Sequence, residues 1–418
     1  MRSLGSLFKN IHPLQASEYV LLVAVAAVLP FSWHISFYLL TLLVINAIIT
    51  AMVTKRLGIR NLSRFRWILL VALGVLPLVY LVSLLYASNM AAGKAEVTRK
   101  MLLLAYAVTF LLFDWSFLSG KHILGILQFM TVALLVRFAI RLGISANIVA
   151  SGEMPLRECV GFFFDPMHHG YLSMYILLAI TYLVYIALRA ENTRKVVLYT
   201  STAASILALT AYLFILQSRA GLLGLLLLVV GIIVLIFFGL KRYKLGILLS
   251  GIAAVVVMVA LLTPSSQHRL ADTLAKVVTH DQSDERYIIT RASLNVVKAN
   301  MPWGVGAGDR IDEMVEEYHR LGAEKQYWRR YNPHNQFVDT LMTTGVIGLL
   351  VLLTIFLVPI IDSIRSKNYL FLAFLLIVAL SALFESILER QMGIGFFCFF
   401  YSLFIVENKT NTCLISHS

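Results

Sequence analysis

His334 sits between a proline and two amides in RRYNPHNQFV (329–338), directly after Arg329 and Arg330 and just ahead of a long apolar run. An imidazole beside two guanidiniums is suited to accept a hydroxyl proton while positive charge receives a departing diphosphate. Asn332 can cap a helix and Pro333 fits its first position. That reading places His334 in the first helical turn, where free N–H groups and the helix dipole favour anions. An interfacial histidine can equally be a structural hydrogen-bonder.

Three other stretches carry polar groups where apolar ones are expected. In LQSRAGLLGLLLL (216–228), Arg219 interrupts about forty nearly apolar residues. An arginine at mid-bilayer costs ~2.5–3.5 kcal/mol, so Arg219 belongs at a hairpin tip, either anchored at headgroups or binding an anion with Gln217 and Ser218. In FFFDPMHHGYLSMY (162–175), Asp165, His168 and His169 precede an apolar run. In FESILERQMGIGFF (384–397), Glu385 and Glu389 lie one turn apart with Arg390 beside them. These two stretches could line a shared cavity, or Glu389 could form an ion pair with an arginine. The paired histidines lack a third ligand at helpful spacing, so no metal site is expected.

The stretch from Ser283 to Asp309 reads as a helix from Asp284 to about Asn300, with Ser283 as N-cap. Pro302 stops it, and Gly304, Gly306 and Gly308 form a following turn. No strand precedes this Gly-x-Gly-x-Gly, so it is not a dinucleotide fingerprint. Arg286 and Arg291 are five apart and cannot easily point at one ligand. In the next helix Ile311, Met314, Val315 and Tyr318 share one face. Asp309, Asp312, Glu313, Glu316 and Glu317 form the other, expected to be a solvated face.

These residues must be positioned by a membrane bundle. Of 418 residues, 59% are hydrophobic and 14% charged, against ~25% charged in soluble domains. Twelve candidate spans follow at 18–32, 35–53, 67–87, 101–118, 122–141, 170–188, 196–216, 220–239, 243–263, 335–361, 369–386 and 391–406. The expected fold is an all-α polytopic membrane protein. Its parts are an N-terminal bundle (1–263), a large helical outside loop (264–334), C-terminal spans (335–406) and a cytoplasmic tail (407–418).

With the N-terminus inside, Lys55, Arg56, Arg60, Arg64 and Arg66 fall in one inside loop. Arg189, Arg194 and Lys195 share a second, Lys241, Arg242 and Lys244 a third, and Arg365 and Lys367 are also inside. Lys94, Arg99, Lys100, Arg157, Arg219 and Arg390 fall in outside loops, an asymmetry that fits the positive-inside rule. The formal charge of +13 is thereby read as topology, and nucleic-acid binding is not expected. Cys159, Cys398 and Cys413 form no CxxC pair, so neither a disulfide framework nor zinc is expected. The N-terminal stretch lacks the apolar core of a cleaved leader and reads as a retained segment.

On these motifs the chain resembles the O-antigen ligase family of membrane glycosyltransferases, which is related to O-antigen polymerases and to protein O-oligosaccharyltransferases. Ser218-Arg219-Ala220 matches the family's element at the tip between spans seven and eight. Arg286, eighteen residues before Gly304, matches its loop arginine better than Arg291 does, and His334-Asn335 matches its His-Asn element. Many relatives carry Asp-Pro-Asn before span six, where this chain has Asp165-Pro166-Met167-His168-His169.

The resemblance implies inverting, metal-independent transfer of a glycan from undecaprenyl diphosphate to an acceptor hydroxyl, without a cofactor. In ligases that acceptor is the lipid A–core oligosaccharide. The site would face the periplasm from a bacterial inner membrane. Arg219, Arg286 and His334 are then the expected catalytic residues. Ser218, Asn335, Arg329, Arg330, His168, His169, Glu389 and Arg390 are the expected substrate-binding ones. A polymerase, a protein O-glycosyltransferase and a transporter of lipid-linked sugar are the alternatives. Transport is disfavoured because the polar groups crowd one edge of the bundle instead of its midplane.

Overall fold

A computed structural model describes residues 11–58, 62–153, 160–165, 167–189, 195–239 and 285–407, and among them there is no strand. The expected span 243–263, the first part of the loop (264–284) with Ser283, and Cys159 and Cys413 lie outside the described residues. The α-helices are α1 (Pro13–Val28), α2 (Trp33–Thr54), α3 (Arg64–Ser83), α4 (Met90–Leu112), α5 (Gly120–Ala150), α6 (Val160–Phe164), α7 (His169–Leu188), α8 (Lys195–Leu216) and α9 (Arg219–Val234). After the undescribed segment come α10 (Glu285–Ala299), α11 (Arg310–Arg320), α12 (Glu324–Arg329), α13 (Gln336–Arg365), α14 (Tyr369–Phe384) and α15 (Gln391–Val406).

Among the described residues, seven helices are long and apolar enough to cross a membrane: α2, α3, α5, α7, α8, α9 and α13. The apolar α1, α14 and α15 are shorter. α15 is apolar all round and is buried along nearly its whole length, as expected of a helix with no solvent or lipid face. Its Phe396, Phe397 and Phe400 pack around Phe374 of α14. α7 is the second interior helix, in contact with α5, α8, α9 and α14.

One expected span needs correction. Residues 101–112 are the second part of a longer helix, α4, which starts at Met90 under the side-chain cap of Asn89, and residues 113–118 follow it outside any helix. Lys94, Arg99 and Lys100 therefore lie within a helix and not in a loop. The sequence there is not apolar, but Glu96 and Lys100 are fully buried and pair with each other.

α10, α11 and α12 form a lobe with its own core of Ile289, Val296, Val297, Met314 and Tyr318. The lobe sits against one end of the bundle, termed the loop end below. The glycine-spaced segment after α10 docks it. Val305 and Gly306 donate to the carbonyls of Met342 and Thr343, and Val346 donates to that of Pro302. These bonds need a break in α13, supplied by Gly345 at φ 66°, a conformation glycine adopts without steric cost. A Cβ on Gly345 would fall 2.0 Å from the Pro302 carbonyl oxygen.

The acidic face of α11 is not simply solvated. Asp309 accepts from the backbone N–H groups of Ser88 and Asn89, both at 2.7 Å. Asp312 accepts from Asn89, and Glu317 from Asn295. These bonds tie α11 to the α3–α4 turn and to α10.

Candidate active site

The segment before α13 presents His334. Asn335, and not Asn332, is the N-cap of α13, accepting from Phe337 and Val338 N–H at 3.0 and 3.1 Å. His334 therefore precedes the helix and stands outside its first turn. Its backbone is left-handed, φ 48°, and its N–H donates to Asn332 Oδ1 at 3.1 Å. Side-chain acceptance by asparagine two residues back is a local turn that supports such a conformation.

The His334 imidazole meets Glu385, with Nδ1 3.1 Å from Oε2. A carboxylate at Nδ1 favours the tautomer with its proton there and leaves Nε2 as an acceptor. Glu385 follows the last residue of α14. Burial opposes its ionisation, but the hydrogen bond and charge of His334, with the charges of His168 and Arg286, hold its carboxyl below the usual range.

Arg286 lies in the first turn of α10, its guanidinium 5.5 Å from the Phe384 ring centre. His168 is the N-cap of α7, accepting from Gly170 N–H at 3.3 Å through Nδ1. Its ring packs 4.1 Å from that of His169. Burial, then the neighbouring His169, Arg390 and His334, push its pKa down to about 4, against the opposing pull of Glu385. The turn before α7 is anchored by Arg137, almost fully buried, whose guanidinium donates to the carbonyls of Pro30 and Asp165.

Arg219 occupies the first position of α9, after Ser218 as N-cap, whose hydroxyl accepts from Gly221 N–H at 3.1 Å. α9 packs closely on α7: a Cβ on Gly221 would fall 2.7 Å from the side chain of Ser173, one turn below His169. This puts Arg219 at the loop end, exposed, with no hydrogen bond or ion pair among the described residues. Arg286, His334 and the paired histidines thus share one carboxylate, while Arg219 begins a helix that packs against both α7 and α14.

Other expected site residues are engaged within the lobe itself. Arg330 pairs with Asp312 at 2.5 Å and Arg329 donates to the Tyr331 hydroxyl at 3.0 Å. Both arginines are exposed, and Tyr331, the partner of Arg329, packs its ring 5.8 Å from that of His334. Glu389 accepts from Asn332 and forms an ion pair with Arg310. Arg390, exposed at the start of α15, contributes its charge at His168.

Beneath this cluster lies a buried ion network that the local sequence pattern did not reveal. Arg310 bonds Asp339 at 2.6 Å and approaches Glu96 at 3.6 Å, besides its pair with Glu389. Lys100 lies 2.5 Å from Glu96 and donates to the Leu388 carbonyl. Arg99 also meets Glu96, at 2.5 Å. Three carboxylates thus face three cations, and buried charges persist when paired in this way. Two signals were available in the sequence: a Glu–Lys pair at i, i+4, and Asp339 inside an apolar run, which requires a cation.

The described molecule is thus of a definable class: a polytopic helical membrane protein with a histidine–carboxylate pair and guanidiniums gathered at one end of its bundle. Residues 203–353 match the sequence model of the O-antigen ligase family, and the match supports placing the chain in that family. The matched stretch runs from within α8 to within α13 and includes Arg219, Arg286, Arg310, His334 and Asp339. No curated protein sequence matches the chain.

Proposed function

We propose that the protein is an O-antigen ligase-like glycosyltransferase that moves a glycan from undecaprenyl diphosphate to a hydroxyl of lipid A–core, at the periplasmic face of a bacterial inner membrane. The observation that carries this reading is the pairing of His334 Nδ1 with Glu385, beside the charge of Arg286; His334 and Arg286 both lie in the family-matched stretch.

His334 Nε2 accepts the proton of the acceptor hydroxyl, and the Glu385 carboxylate stabilises the imidazolium that forms. The acceptor oxygen bonds to the anomeric carbon from the face opposite the diphosphate, inverting that centre as the C–O bond to the diphosphate breaks. Arg219 and Arg286 receive the departing negative charge, a task suited to forked guanidinium donors. His168, His169 and Arg390 line the same end and contact the donor or acceptor glycan.

The test is transfer by purified protein in detergent from undecaprenyl-diphosphate-linked glycan to lipid A–core. Covalent product supports a transferase over a transporter. Product formed only with a second lipid-linked repeat unit, or only with a peptide, reassigns the acceptor. Full transfer by Arg219→Lys argues against bidentate recognition of the diphosphate. Undiminished transfer in EDTA is expected, and loss restored by a divalent cation overturns the metal-independent reading.

A further inference from the structure

Asn332 and Glu389 connect the buried ion network to the imidazole. One Glu389 carboxylate oxygen pairs with Arg310 and the other accepts from the Asn332 amide. The Asn332 carbonyl oxygen then accepts from the His334 backbone N–H. Arg310 is itself fixed by Asp339, which is completely buried. The segment carrying both Glu385 and Glu389 is held at its middle as well. The Leu388 carbonyl accepts from Lys100, and the Leu388 N–H donates to Gln336 Oε1 at 2.7 Å. The two partners whose geometry matters, His334 and Glu385, are thus both referenced to one buried framework.

We propose that Asn332 and Glu389 form a positioning relay, anchored on Arg310, that sets the His334 imidazole against Glu385. This rests on the reading of His334 as the base. Neither relay residue need touch substrate. Asn332 supports the left-handed backbone at His334, and Glu389 fixes Asn332. A base must lie within hydrogen-bond reach of the proton it takes, and supporting groups of this kind hold such geometry. The expected substrate-binding role of Glu389 is replaced by a positioning one.

The direction of the bonds provides the test. Glu389 accepts from two donors, so Glu389→Gln turns an amide N–H toward one of them. Asn332→Asp sets two carboxylates against each other. Combined, the two changes restore every bond with one reversed. The amide introduced by Glu389→Gln donates to the carboxylate introduced by Asn332→Asp, and its oxygen still accepts from Arg310. That carboxylate in turn still accepts from the His334 N–H. The total number of carboxylates is unchanged.

Each single variant is expected to lower kcat for glycan transfer by about tenfold or more, as a small misplacement of a base would. Donor KM should change less than about twofold, because the lost interaction belongs to the transition state. The double variant should regain most of the lost kcat. A second readout needs no turnover: the rate of diethyl pyrocarbonate modification of His334, followed by mass spectrometry, should shift in each single variant and return in the double. Asn332→Ala, which leaves the buried network intact, replaces any single variant that fails to fold. Wild-type kcat in the singles, or a double variant no better than Asn332→Asp at equal thermal midpoint, overturns the relay. His334→Ala in the same assay tests the base separately. If it transfers normally the base reading falls, and the modification rates still decide the relay.

Discussion

Glu385 and Glu389 are four residues apart on one short segment, yet they serve different kinds of site. Glu389 meets the buried network, whose Arg310, Asp339, Glu96 and Lys100 side chains are at most 7% exposed. Glu385 meets His334, and those two side chains are 24% and 34% exposed. The same residue type is closed off by opposite charges in one case and left open to an incoming ligand in the other. A charge-paired, desolvated cluster is closed to substrate; it holds parts in place. A half-exposed histidine–carboxylate pair, with exposed guanidiniums at the same end, retains that capacity. Burial and partnering, more than residue identity, separate the framework from the reactive groups.

Breaking the closed cluster should have the largest effect. Arg310→Ala takes the ion-pair partner from buried Asp339 and from Glu389, and one of three from Glu96, and removing one partner of a buried pair typically costs about 3–5 kcal/mol. The expected result is a sharply lower thermal midpoint in detergent, with transfer lost in proportion to folded protein. A variant as stable as wild type would show that the network is not the framework described.

The open cluster should behave conversely. His334→Ala should lower transfer by roughly 10²-fold, the usual loss on removing a general base, with the thermal midpoint almost unchanged. A matching loss of stability would erase the distinction between the two clusters. Glu385→Gln tests the same pair more finely. Its amide oxygen can still accept from Nδ1–H, but it carries no charge to stabilise an imidazolium. Transfer should fall about tenfold, the equivalent of one pKa unit of interaction, between wild type and His334→Ala.

How much of this was readable beforehand follows from the range of the interactions. Apolar runs announce membrane helices because each must satisfy its backbone within itself, so α7, α8, α9 and α13 lie close to their expected positions. Arg219 was legible at its tip because a charge cannot cheaply sit deeper. The first half of α4 was not, because Glu96 also meets Arg310 and Lys100 also reaches the Leu388 carbonyl, both far along the chain, and local periodicity does not encode such partners. The cap of α13 lies three residues beyond Asn332 for a related reason: Asn332 and Asn335 are equally good caps locally, and Glu389, which engages the Asn332 amide, comes from a distant segment. His334 was found from its neighbours, while its carboxylate partner required the folded chain.

The smallest expected effect concerns His168, which borders the open cluster. Its Nδ1 caps α7 and must keep its lone pair for the Gly170 N–H. Burial, with His169, Arg390 and His334 nearby, lowers its pKa to about 4 despite Glu385, against ~6.5 in an unfolded chain. Between those values the unfolded chain binds a proton that the native protein does not, so stability falls as pH drops through this window and is level above it. His168→Asn keeps a cap acceptor without a titrating ring. The thermal midpoint should therefore fall less in the variant than in wild type between pH 7 and pH 5. Glu385 acts on the other side of the boundary. Its lowered pKa means that its contribution is present above the ordinary carboxylate range and disappears only as pH falls through its native value. Equal slopes for wild type and His168→Asn between pH 7 and pH 5 would mean that the His168 ring gains its proton without losing its place. It would then belong with the open, ligand-ready groups and not with the framework.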